Sequence, residues 1–176
     1  MLNPHDIPGV AELEGLAEAL YREASVLPES VWVPMPAPGM YAGAWSALLF
    51  SAGPWAHEFA AADPAANLAR CPTAEAFLAR HAPSLGVFGL LRLSPGATLA
   101  PHQDHRHDEE VRVHIPVALP EGGEAGWTLH RARLLDIREV HSGHNSGATP
   151  RITVVADVRI GRTVGPGDVP PWGPPT

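Results

Sequence analysis

The chain has 176 residues, 45% of them hydrophobic and 18% charged, so it is long enough for one domain with an ordinary core. A formal charge of −7 argues against a phosphate-backbone partner, which needs a clustered basic face, and so against nucleic acid. A single cysteine, Cys71, excludes an intramolecular disulfide, while 17 glycines and 20 prolines favour many turns and short strands over a helical bundle.

The start, Met1 into Asn3-Pro4-His5-Asp6, has neither a basic stretch nor an apolar run of leader type, and no run of 18 apolar residues follows. The expectation is a cytoplasmic protein with no membrane partner. Residues 9–26 predict an amphipathic helix: Val10, Leu13, Leu16, Ala17, Leu20 and Tyr21 recur at helical spacing, with Glu12, Glu14 and Glu18 elsewhere. Trp32 to Gly43, rich in proline and glycine, predicts a looping connection, and Ala44 to Phe50 a strand. Asp63-Pro64 has the form of a helix start, and Thr73 precedes a second short helical stretch through Arg80.

From Leu85 the texture becomes strand, turn, strand. Residues 85–93 lead into the turn Ser94-Pro95-Gly96, and further short runs follow at 111–118, 127–136 and 151–160. This places an all-β core at about 85–160 within a single domain of residues 1–164. Residues 165–176, with five prolines and three glycines, are expected to form a loose tail.

Seven of the ten histidines lie between 102 and 144. In a strand, residues two apart share a face, so His102-Gln103-Asp104 directs an imidazole and a carboxylate to one side and Gln103 to the other. His141, just beyond Leu134-Leu135-Asp136-Ile137, is placed to return beside them as a third metal ligand. Two imidazoles and one carboxylate leave open positions on the ion, which suits non-heme iron(II). The spacing alone leaves a solvated polar loop as the alternative, and His105 with His107, also two apart, as replacements for His102 and Asp104.

In Arg112-Val113-His114-Ile115-Pro116, the odd positions from Val111 to Val117 make an apolar face, and Arg112 and His114 share the other. They look either into a barrel or into solvent. Arg151 opens a run too apolar for an exposed edge. It needs an anionic partner: a carboxylate of a bound dicarboxylate, or Asp136, Asp157 or a loop acid in a structural salt bridge.

Together these pieces resemble the aspartyl/asparaginyl β-hydroxylase family of iron(II), 2-oxoglutarate oxygenases. The resemblance runs from about Thr73 to Val158. It rests on Leu93-Ser94-Pro95-Gly96 before Pro101-His102-Gln103-Asp104, on Arg112-Val113-His114-Ile115-Pro116-Val117, and on Leu134-Leu135-Asp136 before His141. Asn145-Ser146, Arg151 ten residues after His141, and Asp157 complete it. It implies a double-stranded β-helix, a jelly-roll related to the cupin barrel, with flanking N-terminal helices. It also implies His102, Asp104 and His141 as catalytic iron ligands, Arg151 as the partner of the 2-oxoglutarate 5-carboxylate, and Arg112 and His114 near the co-substrate or the substrate carboxylate.

The implied activity is hydroxylation of a C–H bond with O2 as oxidant and release of succinate and CO2. Asp104, where some relatives have glycine, favours hydroxylation over halogenation. An amino acid, a small peptide or an amino-acid-derived molecule is the expected substrate, with His144 and Arg131 available for its carboxylate; a homodimer is compatible with a domain of this kind. A departure from the family pattern is the segment Asp136 to Val140, which stands where an acidic pair is common. Two rival readings share the barrel: a cupin-type metal oxygenase or isomerase that does not use 2-oxoglutarate, and a non-enzymatic ligand-binding barrel. The cupin reading gives Arg151 no role.

Overall fold

The computed structural model describes residues 2–37, 39–104, 109–121, 126–165 and 167–169. The second candidate pair, His105 and His107, lies outside them. Helix α1 (Val10–Ser25) opens after Gly9 and buries Val10, Leu13, Ala17, Leu20 and Ala24 along one stripe. The period of 3.6 residues puts these positions on the face that meets the sheet. Helix α2 (Pro64–Leu68) is capped by Asp63, whose side chain accepts from the Ala66 N–H. Helix α3 (Pro72–His81) begins one residue before Thr73, so Thr73 is not its cap. Thr73 is instead tied to α1, donating to Glu23 through its N–H at 3.1 Å and its hydroxyl at 2.5 Å.

Among the described residues, nine strands form two antiparallel sheets. The larger takes the order β1 (Val33–Pro34), β3 (Trp45–Ala52), β4 (Leu85–Leu93), β9 (Arg151–Arg159), β6 (Glu110–Ala118), β7 (Arg133–Leu135). The smaller is β2 (Tyr41–Ala42), β5 (Thr98–His102), β8 (His141–His144). The strand core therefore begins at Val33 rather than near 85. The connection expected at 32–43 holds two short strands, and the apolar run 127–136 yields strand only at Arg133–Leu135. Proline is tolerated in such edge positions because one side of the strand need not donate to a ladder.

Alternation along the long strands sorts the two faces. Leu48 and Phe50 of β3, Phe88 and Leu90 of β4, Val111, Val113 and Ile115 of β6, and Val154 and Ala156 of β9 pack in one cluster with Leu13, Leu20 and Phe77 of the helices. The opposite face carries Leu49, Val87 and Val155, along with Arg112, His114, Arg151 and Thr153. The smaller sheet faces it, so side chains from both sheets meet in one cleft. This is the jelly-roll, or double-stranded β-helix, with helices outside the larger sheet.

The turn Ser94-Pro95-Gly96 reverses the chain from β4 to β5, with Gly96 at φ 72°, a conformation that costs a side-chain-bearing residue energy. Asn145, 1% exposed, pins the other end of this region. Its amide donates to Leu93 O and Thr149 O, each at 2.9 Å, and its Oδ1 accepts from Gly147 N at 3.0 Å. The tail is less loose than expected at its start: Val164 and Val169 are buried, and Asp168 O accepts from Leu2 N at 2.5 Å. Residues 170–176 lie outside the described ones. Among the described residues, no helix is long and apolar enough to cross a membrane.

Candidate metal centre and adjoining cavities

Strand β5 ends at His102, and β8 begins at His141, directly opposite it in the antiparallel register. Their rings lie 4.1 Å apart between centroids. Asp104 follows two residues past the end of β5, where its N–H donates to Ile137 O at 2.7 Å. One ligand atom from each of His102, Asp104 and His141 lies within 4.8 Å of the others, with His102 Nε2 and Asp104 Oδ1 3.9 Å apart. Such separations suit three donors at roughly 2 Å from one ion.

The protonation pattern fits as well. His102 Nδ1 lies 2.7 Å from Ala100 O and His141 Nδ1 lies 3.0 Å from Glu139 O. A carbonyl can only accept, so both Nδ1 atoms carry the hydrogen and both Nε2 lone pairs are left for a metal. Burial, together with the neighbouring His102, holds the His141 imidazole below its ordinary value, which keeps it in the neutral, ligating form. The segment 136–140, the departure noted above, turns out to be the clamp on this centre. Its residues offer Ile137 O to Asp104, Arg138 O to the Gln103 side chain at 3.0 Å, and Glu139 O to His141. Asp136 and Arg138 lock the segment in a two-pronged ion pair, and Arg138 Nη1 donates to Val164 O at 2.6 Å.

Arg112 sits behind Asp104. Its Nη1 donates to Asp104 Oδ2 at 2.7 Å, while Nε and Nη2 donate to the two oxygens of Asp157 at 2.8 and 3.0 Å. Arg112 and Asp157 face each other in the β6–β9 register, so the pair is a buried cross-strand bridge, with Asp157 1% exposed. Burial pulls the guanidinium down, but the two carboxylates outweigh it and hold Arg112 charged. A role beside the co-substrate was expected for Arg112. In the structure this side chain braces Asp104.

Arg151, 7% exposed, enters the cleft from the start of β9 with its guanidinium 5.5 Å from the Trp127 ring centre. Asp136 is paired with Arg138 and Asp157 with Arg112. Gly143 of β8 leaves room beside it: a Cβ there would stand 3.4 Å from Arg151 Nη2. His114 lies 5.9 Å from Trp127 between ring centres. Burial, then the cations Arg112 and Arg151, push its imidazole well below the usual range, and its buried Nε2 has no hydrogen-bond partner among the described residues. A buried orphan of this kind points to a missing polar partner.

Among the described residues, a cleft and a cavity adjoin the centre. A narrow cleft of about 50 Å³ holds His102, Asp104 and His141 together with His114, Arg151 and Thr153. A larger, mostly apolar cavity of about 240 Å³ lies on the other side of Asp104. Trp45 and Leu91 line both. Gln103, expected to face away, lines the larger cavity.

Two expected substrate contacts fall elsewhere. Arg131 is on the outside, 67% exposed and 3.6 Å from Glu14 of α1, because the segment before β7 runs along that helix rather than over the cleft. His144 is exposed at the far end of β8, paired with Thr98, three residues beyond the ligand position and outside the lining of either cavity. Trp45 lines both cavities, and Trp127 lies beside His114 and Arg151. A large aromatic in a strand reads as core until the register brings it to the site.

No family model matches the chain, and no curated protein matches it. Among solved structures, it is similar to a predicted oxalate decarboxylase from Thermotoga maritima, at 15% identity and TM-score 0.44 over 75% of this chain and 95% of that one. It is also similar to a prolyl-4-hydroxylase from Pseudomonas putida, at 16% identity and TM-score 0.35 over 89% and 90%. At these values neither likeness bears on function, which rests on the site itself.

Proposed function

We propose that the chain is an iron(II), 2-oxoglutarate-dependent oxygenase that hydroxylates a C–H bond of an amino acid, small peptide or amino-acid-derived substrate, releasing succinate and CO2. The observation that carries this reading is the narrow cleft, which runs from the three-ligand cluster to a buried arginine and a buried imidazole with an unpartnered nitrogen. Two imidazoles and a carboxylate match an ion that must keep positions open for other ligands. A dicarboxylate in the cleft would set one carboxylate against Arg151 and give His114 Nε2 its missing partner.

When bound, iron and 2-oxoglutarate supply the oxidising chemistry, and the protein supplies binding, orientation and exclusion of water. His102 and His141 present Nε2 in fixed directions because their Nδ1 hydrogens are held by carbonyls. Arg112 fixes Asp104 and offsets part of its charge. Leu91, Leu93, Leu99 and Trp45 keep the cleft largely dry, which strengthens the Arg151 to carboxylate attraction.

Anaerobic addition of iron(II) and 2-oxoglutarate to metal-free protein tests the reading through the visible iron-to-oxoglutarate charge-transfer band. The band should form, vanish in His141→Ala and weaken in Arg151→Ala. Metal binding without the band would move the assignment to a cupin-type metal enzyme that does not use 2-oxoglutarate. Failure to bind metal would end the oxygenase reading.

A further inference from the structure

The larger cavity has a different chemistry from the cleft. Met35, Met40, Trp45, Leu49, Phe59 and Leu91 give it apolar walls, and Asp104 and Arg112 form the boundary it shares with the metal centre. Arg112 is the basic side chain among its described lining residues, and all three of its donor nitrogens are already hydrogen-bonded, two to Asp157 and one to Asp104. Two carboxylates, Asp157 and Asp104, already offset its single positive charge, so it offers a ligand carboxylate little net attraction. The remaining charged group of the lining is Glu58, whose side chain is 41% exposed, with His57 Nε2 3.9 Å away. A carboxylate at one side of an apolar cavity attracts a cation and repels an anion.

We infer that the larger cavity is the substrate site and that it takes a hydrophobic amine, an apolar body with its ammonium group at Glu58 and no free carboxylate. An amino acid whose carboxyl group is masked as an amide or ester belongs to this class; a free amino acid does not match it well. The inference rests on the proposed function for calling the ligand a substrate, but the binding preference itself stands on the cavity alone. The geometry gives the cavity a direct line to the chemistry, because Asp104 is a wall of both spaces.

Calorimetric titration of the full chain, without metal, with leucinamide, leucine and N-acetylleucine holds the apolar body constant while changing the charge from cation to zwitterion to anion. Leucinamide should bind at least about tenfold more tightly than either of the others, a difference of about 1.4 kcal/mol. Glu58→Gln, at an exposed position where folding is not at stake, should remove that preference. Ala37→Trp, which narrows the cavity, should weaken all three. Equal or tighter binding of N-acetylleucine, or a preference that survives Glu58→Gln, would overturn the inference. Leucinamide binding by a protein that gives no iron-to-oxoglutarate band would leave this site standing and remove the proposed reaction; the band without a charge preference would do the reverse.

Discussion

Arg112→Met separates the structural from the chemical role of the buried bridge. The substitution keeps a long apolar side chain but leaves Asp157, 1% exposed, with its carboxylate stripped of two hydrogen bonds. Removing one partner of a buried ion pair costs about 3–5 kcal/mol, mostly because the other charge stays buried without compensation. For a domain of this size that is a fall in Tm of roughly 6–20 °C. Arg112→Met with Asp157→Leu removes both charges and should recover most of the loss, since a well-packed apolar pair replaces such a bridge at little cost. Urea unfolding of the metal-free proteins, read by tryptophan fluorescence, measures both. The reasoning fails if the single variant loses less than about 1 kcal/mol, or if the double variant is no more stable than the single one. A second readout follows from Asp104, which loses its 2.7 Å hydrogen bond. Metal affinity should drop about 10- to 100-fold in both variants, as it does when a ligand's supporting partner is removed.

Three further outcomes are expected. His114 is held neutral in the fold by burial and neighbouring cations, far below its ordinary 6.5, so the unfolded chain takes up a proton that the folded one does not. Stability of the metal-free protein should therefore be fully present above pH 6.5 and decline as pH falls below it, by up to about 1.4 kcal/mol per unit for this group. His114→Leu should flatten that part of the urea-midpoint profile, and an unchanged slope would count against it. Cys71, buried and pushed up to about 11 by burial and by Glu23, should resist a thiol reagent at pH 8 in the native protein and react once urea unfolds it. Gly143→Val would place a branched side chain against Arg151 Nη2 and should weaken 2-oxoglutarate binding about tenfold while leaving metal affinity within twofold; titration of each ligand separately checks it.

Much of this was legible in the residues, where the signal is periodic or local. The stripe on α1 and the alternation in 111–117 fixed which faces are buried, and His102, Asp104 and His141 do converge. What escaped depends on register. Arg112 meets Asp157 because β6 and β9 pair residue for residue, a match of two positions 45 apart that spacing along the chain does not encode. The apolar cavity draws on residues from 35 to 155, so no window of sequence contains it. Segment 136–140 read as an interruption because its contribution is made by backbone carbonyls, which are the same for any residue type. Arg131 and His144 were misplaced for a related reason: a polar side chain near a strand end gives no sign of which way the loop carries it.

The three candidate ligand positions belong to the smaller sheet or the residues just past its edge, and Arg112 reaches back from the larger sheet to Asp104. A bound ion would thus act as a rivet between β5 and β8, not as a bolt through the whole barrel. Amide hydrogens of residues 98–104 and 141–144 should then exchange more slowly when metal is present, while those of β4, β6 and β9, already locked between helices and cleft, keep their rates. The domain would carry a mouth whose firmness follows its cargo and a body that does not notice whether the mouth is loaded.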